Sequence, residues 1–189
     1  MIKAEKSDKA TVTDILSSAF SENRSVNYVI PQDEKKMQRI RKLMAYSFDV
    51  CFAFGEVYLS DCRRACALVL YPGRKRITLQ SISWDIRLAI TVFGLSRTAK
   101  VLSREQSIKK HHPPGNIFYC WYIGVQQGFQ RNGTGRQLLH ELLQKSEELK
   151  LPVYLETSTP ENVPWYQRAG FEVYAEEKFG YRLFFLRKL

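Results

Sequence analysis

The chain has 189 residues, enough for one domain that buries about 70% of the surface its unfolded form would expose. At 44% hydrophobic and 25% charged it has the make-up of a globular protein and not of a disordered or fibrous one. A formal net charge of +10, from 29 basic and 19 acidic residues, predicts attraction to a polyanion without choosing among nucleic acid, an anionic membrane and a phosphorylated small molecule. The four cysteines lack the spacing of a disulfide framework, no charged-then-apolar leader precedes them, and no apolar run approaches the roughly 20 residues of a membrane span. A cytoplasmic protein with no membrane partner is expected.

Met1 to Lys6 alternates as a strand, and Ala10 to Phe20 carries apolar residues at helical spacing after Ser7. Ser21 to Pro31 reads as polar and irregular. Asp33 to Asp49 places Met37, Ile40, Leu43, Met44 and Phe48 at steps of three and four, a second amphipathic helix. Glu56 to Leu59 and Arg64 to Tyr71 form a hairpin closed by Pro72-Gly73. Ile77 to Lys110 has apolar residues at helical intervals (Leu79, Ile82, Ile86, Ile90, Phe93) with Gly94 interrupting, which predicts one or two helices stopped by His111-His112-Pro113-Pro114-Gly115. Ile117 to Val125 is nearly continuous apolar and aromatic, as a central strand covered on both faces would be. A leucine-striped helix follows Gly135, then a strand at Val153 to Thr157, a short helix at Asn162 to Ala169, and closing strands at Phe171 to Glu176 and Tyr181 to Leu186. The strand-loop-helix-strand unit predicts two parallel strands joined by a right-handed crossover.

Between the central strand and its helix lies Gln127-Gly128-Phe129-Gln130-Arg131-Asn132-Gly133-Thr134-Gly135. Unpaired amides converge at a helix start and its dipole is positive there, so anions bind such places. Glycine at 133 and 135 removes Cβ atoms that would hold a pyrophosphate off the backbone. Arg131 and Arg136 put positive charge where the dipole disfavours it by about 0.3 to 1 kcal/mol each, a penalty a bound anion reverses. A P-loop is excluded because Arg136-Gln137 stands where Lys-Ser or Lys-Thr would follow. The dinucleotide fingerprint lacks its third glycine, with Leu138 in its place, and a loop separates strand from first glycine.

Gln130-x-x-Gly133-x-Gly135 after a strand ending in Val125 resembles the acyl-CoA signature of the GNAT superfamily of N-acetyltransferases. The run Leu155-Glu156-Thr157 with Asn162, Tyr166 and Gly170-Phe171 resembles that superfamily's second cofactor motif, most closely in enzymes similar to puromycin N-acetyltransferase. The resemblance implies an α/β fold with a mixed central sheet flanked by helices, whose fourth and fifth strands are parallel and splayed. The chain reads as a single domain: an N-terminal part over residues 1–73 that matches the family only in the order of its elements, a helical insert over 74–116 that departs from the family's simplest plan and is expected to shape the acceptor pocket, and an acyl-CoA-binding part over 117–189.

The same resemblance places pantetheine along Ile123, Gly124 and Val125 and the pyrophosphate on Gln130, Arg131, Asn132, Gly133, Thr134, Gly135 and Arg136. Asn162 would bond pantetheine, and Tyr166 would both touch the cofactor and give a proton to the departing thiolate. Attack of a neutral amine on a thioester also needs a proton acceptor. Glu156 is the first candidate and Tyr122 a second, while an ion pair would explain Glu156 as well. The chemistry implied is transfer of acetyl from acetyl-CoA, as co-substrate, directly to a primary amine in a ternary complex; a small-molecule amine is expected, with peptide N-termini, lysine side chains and polyamines left open. His111 and His112 precede the central strand within reach of the pocket mouth. Against these roles stand plainer ones: an N-cap for Asn162, packing for Tyr166, and a solvated loop for His111 and His112, the reading preferred for the histidines. Cys66 and Cys120 read as packing, and Cys62-x-x-x-Cys66 has no second ligand pair, so no metal is expected. The rival reading is a non-catalytic CoA- or nucleic-acid-binding protein on the same fold, although no base-reading motif favours nucleic acid. A homodimer fits the sequence as well as a monomer does.

Overall fold

The computed structural model describes residues 1–189, apart from the side chains at 95 and 96. Its elements run β1 (Ile2–Lys3), α1 (Lys9–Ala19), α2 (Arg24–Val29), α3 (Lys36–Phe54), β2 (Gly55–Leu59), β3 (Ala65–Leu70), α4 (Leu79–Leu88), a π-helical turn (Ala89–Phe93), α5 (Leu95–His111), β4 (Phe118–Val125), α6 (Thr134–Leu149), β5 (Val153–Thr157), α7 (Val163–Arg168), β6 (Glu172–Lys178) and β7 (Arg182–Lys188). The strands form one seven-stranded mixed sheet in the order β1-β2-β3-β4-β5-β7-β6, antiparallel except for β4 beside β5. This is the fold class that the sequence led us to expect.

Alternation along the strands sends side chains to two covered faces. Helices α1 and α3 cover one face, burying Val12, Ile15 and Leu16 and then Ile40, Leu43, Met44, Phe48 and Cys51 against Val57, Leu59, Cys66 and Leu68. Helix α6 covers the other, its Leu138, Leu139, Leu142 and Leu143 meeting Ala67, Val69, Phe118, Cys120 and Leu155. Each of these leucines is nearly fully buried, worth about 1.5 to 3 kcal/mol in transfer free energy.

Ser21 to Pro31 is not irregular, as expected, but contains α2, where the Asn23 side chain accepts from the Val26 amide at 3.1 Å. Six residues are too few to show a period, so only the cap marked this helix. The insert is helical, yet of its periodic apolar residues only Phe93 is buried. It meets the body through other residues. Tyr46 of α3 donates to Asp85 of α4 at 2.6 Å, and Arg104 of α5 donates to the Tyr181 hydroxyl at 2.8 Å and to Ser25.

Candidate functional site

Strands β4 and β5 pair only at Phe118↔Val153 and Tyr119↔Tyr154, and from there they part. The β5-facing edge of β4 from Cys120 onward therefore has backbone groups that no strand of the sheet takes up. On its other edge β4 stays paired to β3 as far as Ala65↔Val125, with one irregularity: Leu68 pairs Tyr122 while Val69 pairs Cys120, which leaves Trp121 as a bulge residue. Such a bulge bends the strand and re-aims its side chains, and Trp121 and Tyr122 both pack on the α1/α3 side. Ile123 is half-buried on the α6 side. Gly124 is glycine because a Cβ there would sit 3.1 Å from Leu16 Cδ2 and 3.2 Å from Ala19 Cβ of α1.

Past Val125 the chain turns three times through left-handed backbone, at Gly128 (φ 86°), Arg131 (φ 65°) and Gly133 (φ 88°). Gly133 is the N-cap of α6, and this positive φ is its reason for being glycine. Each glycine thus has a reason in the fold itself. Gly135 has ordinary helical backbone, but a Cβ would lie 3.1 Å from Val125 Cγ2, so its missing side chain seats α6 against β4. Arg131 holds the left-handed region without that freedom, a strain of order 1 to 3 kcal/mol of the kind found at ligand-binding turns.

No backbone carbonyl among the described residues accepts from the amides of Gly135 and Arg136, no acidic residue lies in the first turn of α6, and the Arg131 and Arg136 side chains are exposed. Asn132 Oδ1 accepts from both the Thr134 amide (3.2 Å) and the Thr134 hydroxyl (2.8 Å), and Gln130 Nε2 donates to the Val125 backbone carbonyl at 3.4 Å. Side chains at 130, 132 and 134 thus shape the turn, leaving its later amides and the two arginines outward. Two clamps went unseen in the sequence. Arg64 donates to Gln126 Oε1 at 3.0 Å with its guanidinium 4.4 Å from the Phe129 ring centre, and Ser18 of α1 accepts from the Gln127 amide at 3.2 Å. Neither has a sequence signal, because the partners lie about 60 or more residues apart.

On the α1/α3 face, just past the last β4-β5 pair, stands Glu156. Its Oε2 accepts from the Tyr119 hydroxyl at 2.6 Å, and its Oε1 lies 2.7 Å from His112 Nε2. The side chains of His112 and Glu156 are 14% and 10% exposed, so the pair is largely shielded from water. Burial, and after it the Glu156 carboxylate, pushes the Tyr119 phenol well above its ordinary range. His111 lies 2.9 Å from Glu177 Oε1 and packs its ring on Phe185; that imidazole, followed by a hydrogen bond from Ser107, holds the Glu177 carboxyl below its usual value.

The histidines are thus no solvated loop, contrary to the expectation. α5 runs through His111, and its buried Val101 and Ile108, continued by three or four residues, put both rings on the inward side. That extended period was the signal to be read.

On the opposite face of the same gap Tyr166 is buried among Trp165, Phe171, Cys120 and Leu155. Burial, with a lesser influence from Cys120, raises its phenol and keeps it protonated. Asn162, one turn earlier, is exposed and makes no side-chain cap bond to α7, so the N-cap role considered for it is not the one it plays. Tyr122 sits edge-on to Phe20, and burial raises its phenol, which makes it a poor proton acceptor. Cys120 is buried and pushed up to about 12, chiefly by desolvation, so its thiol stays protonated and inert. Among the described residues no three His, Cys, Asp or Glu side chains stand where they could hold a metal ion.

Residues 99–173, from within α5 to the start of β6, match the family model described as Acetyltransferase (GNAT) domain. Among solved structures, a histone acetyltransferase HPA2 and related acetyltransferase from Corynebacterium glutamicum aligns with a TM-score of 0.72 at 17% identity, over 99% of this chain and 93% of that one. Arylalkylamine N-acetyltransferase 2 from Aedes aegypti aligns with a TM-score of 0.64 at 14% identity, over 100% and 97%. Arabidopsis thaliana Naa50, in complex with a bisubstrate analogue containing CoA, aligns with a TM-score of 0.53 at 11% identity, over 100% and 96%. At these identities the likeness is one of fold.

Proposed function

We propose that the chain is a GNAT-type acyltransferase, as the match of residues 99–173 to that domain model and the shared fold support, and that it moves an acetyl group from acetyl-CoA to the primary amine of a small molecule. The observation that carries this reading is the single gap between β4 and β5, flanked by Glu156 on one face and Tyr166 on the other, beside the unpaired amides that open α6. The residues fit the group. The amides of Gly135 and Arg136, with Arg131 and Arg136 outward, suit a pyrophosphate, the free edge at Ile123, Gly124 and Val125 suits the amides of pantetheine, and Asn162 has an uncommitted side chain for the same arm. Acetyl-CoA supplies a thioester carbonyl and a thiol leaving group.

The chain supplies the proton traffic. Glu156, with His112 beside it, takes the proton of the attacking amine as the C–N bond forms. Tyr166, held protonated, gives one to the sulfur as the C–S bond breaks, and a β4 amide near Ile123 holds the carbonyl oxygen. The 189 residues serve as one domain, with the 74–116 insert delivering His112 to the site. That the amine is small rests on the likeness of LETSTPENVPWYQRAGF to enzymes similar to puromycin N-acetyltransferase.

The test is thiol release from acetyl-CoA across a panel of small amines, peptides and polyamines. Turnover with small primary amines is expected, and Tyr166→Phe should lower kcat by about 10² or more with KM for acetyl-CoA little changed. Binding of acetyl-CoA without turnover on any amine would favour the non-catalytic reading, and loss of binding in Tyr166→Phe would make that residue a packing element.

A further inference from the structure

Five large aliphatic side chains stand in water along the first half of the insert: Ile77 is 90% exposed, Leu79 89%, Ile82 42%, Ile86 54% and Ile90 61%. From Leu79 onward they recur at steps of three and four, so α4 and the π-helical turn carry them as one stripe. The stripe points away from the protein. The residues of α4 that meet the body, Ser81, Trp84, Asp85 and Leu88, lie on the opposite side of the helix. An isolated exposed isoleucine needs no explanation, but four aliphatic side chains in one stripe, with Ile77 just ahead of them, make a docking surface.

Charge identifies the occupant. The insert over 74–116 holds nine of the basic and two of the acidic residues, so seven of the ten net positive charges sit in these 43 positions. Arg74, Lys75 and Arg76 immediately precede the stripe and Arg87 lies within it, all exposed, while the ion pairs of the described residues involve none of them. A second copy of the chain docked on this face would bring cation against cation. An anionic bilayer satisfies both parts at once, taking the aliphatic row among its acyl chains and the basic residues among its headgroups. Among the described residues no helix is long and apolar enough to cross a membrane, so the contact is a surface one.

We propose that α4 with its π-helical turn is a membrane-surface anchor selective for anionic lipid, held by the Ile77, Leu79, Ile82, Ile86 and Ile90 row and the Arg74-Lys75-Arg76 run. This reverses the expectation of no membrane partner and stands independently of the acyl-transfer reading.

The experiment is co-sedimentation of the whole protein, without acetyl-CoA, with phosphatidylcholine vesicles and with vesicles containing phosphatidylglycerol, beside sedimentation velocity in the absence of lipid. Binding to the anionic vesicles is expected, with weak binding to the neutral ones and a decline as salt rises. Arg74→Gln/Lys75→Gln/Arg76→Gln should weaken it roughly 100-fold, at about a factor of five per residue. Ile82→Asp/Ile86→Asp should abolish it with the circular dichroism spectrum unchanged, since both positions are exposed. No vesicle binding, binding indifferent to lipid charge or to these variants, or a lipid-free dimer that Ile82→Asp/Ile86→Asp splits while vesicles go unbound would overturn the proposal.

Discussion

The stretch from β4 to α7 and the insert before it are joined end to end and were written under different constraints. In the first, local backbone demands nearly fix the residues: a left-handed N-cap needs Gly133, the close approach of α6 to β4 needs Gly135, and a strand covered on both faces starts with Phe118, Tyr119 and Cys120. In the insert the apolar period of α4 faces water, and the attachments are buried Val92, Phe93, Val101 and Ile108 together with polar residues, Asp85, Arg104, Ser107, His111 and His112. Periodicity therefore reports which side of a helix is apolar, and only tertiary structure reports whether that side is covered.

The sharpest way to break this contrast is at the contact between the two regions. Glu156→Gln should lower kcat by about 10² to 10⁴ with acetyl-CoA binding retained, as expected for loss of a positioned base. His112→Ala should lower it by about tenfold, as a residue that holds and tunes another does. An unchanged rate in His112→Ala would put the insert outside the chemistry.

Stability draws the same line. Leu142→Ala empties a position in the α6 face of the core and should cost about 2 to 5 kcal/mol in urea unfolding. Ile86→Ala, on the exposed row, should stay within about 0.5 kcal/mol. A large effect at Ile86 would mean that the row is covered in solution.

A smaller effect is expected outside both regions, at Glu56 of β2. Burial alone would raise its carboxyl, but hydrogen bonds from Lys3, Tyr71 and Tyr58 outweigh that and hold it at about 2, against an ordinary 4.5. A depressed carboxyl stabilises the fold fully above its unfolded value, and that stabilisation is lost as pH falls from about 4.5 towards 2. Glu56→Gln should be less stable than the parent by roughly 1 to 2 kcal/mol at pH 7, and the difference should narrow through that acid window. A gap constant with pH would assign the loss to packing.

Most of the fold was legible, because strand alternation, the α3 and α6 stripes and the strand-turn-helix-strand order are local patterns. The turn was legible from its glycines and arginines, although the reason for each glycine was not, since the neighbour that excludes a Cβ at 135 is Val125 on another element. What escaped was long-range pairing. Arg64 with Phe129 and His112 with Glu156 are joined by the fold alone, and the two histidines looked like loop residues because Pro113-Pro114 follows them.

The central claim is that the start of α6 holds the pyrophosphate of an acyl-CoA. Calorimetric titration of acetyl-CoA into the parent protein and into Arg131→Gln/Arg136→Gln, with S-acetylpantetheine as a ligand lacking the pyrophosphate, tests it most directly. The account predicts saturable binding of acetyl-CoA to the parent, about tenfold or more weaker in the variant, and much weaker binding of S-acetylpantetheine that the substitutions leave unchanged. Equal affinity of parent and variant for acetyl-CoA, or no binding at all, would contradict it.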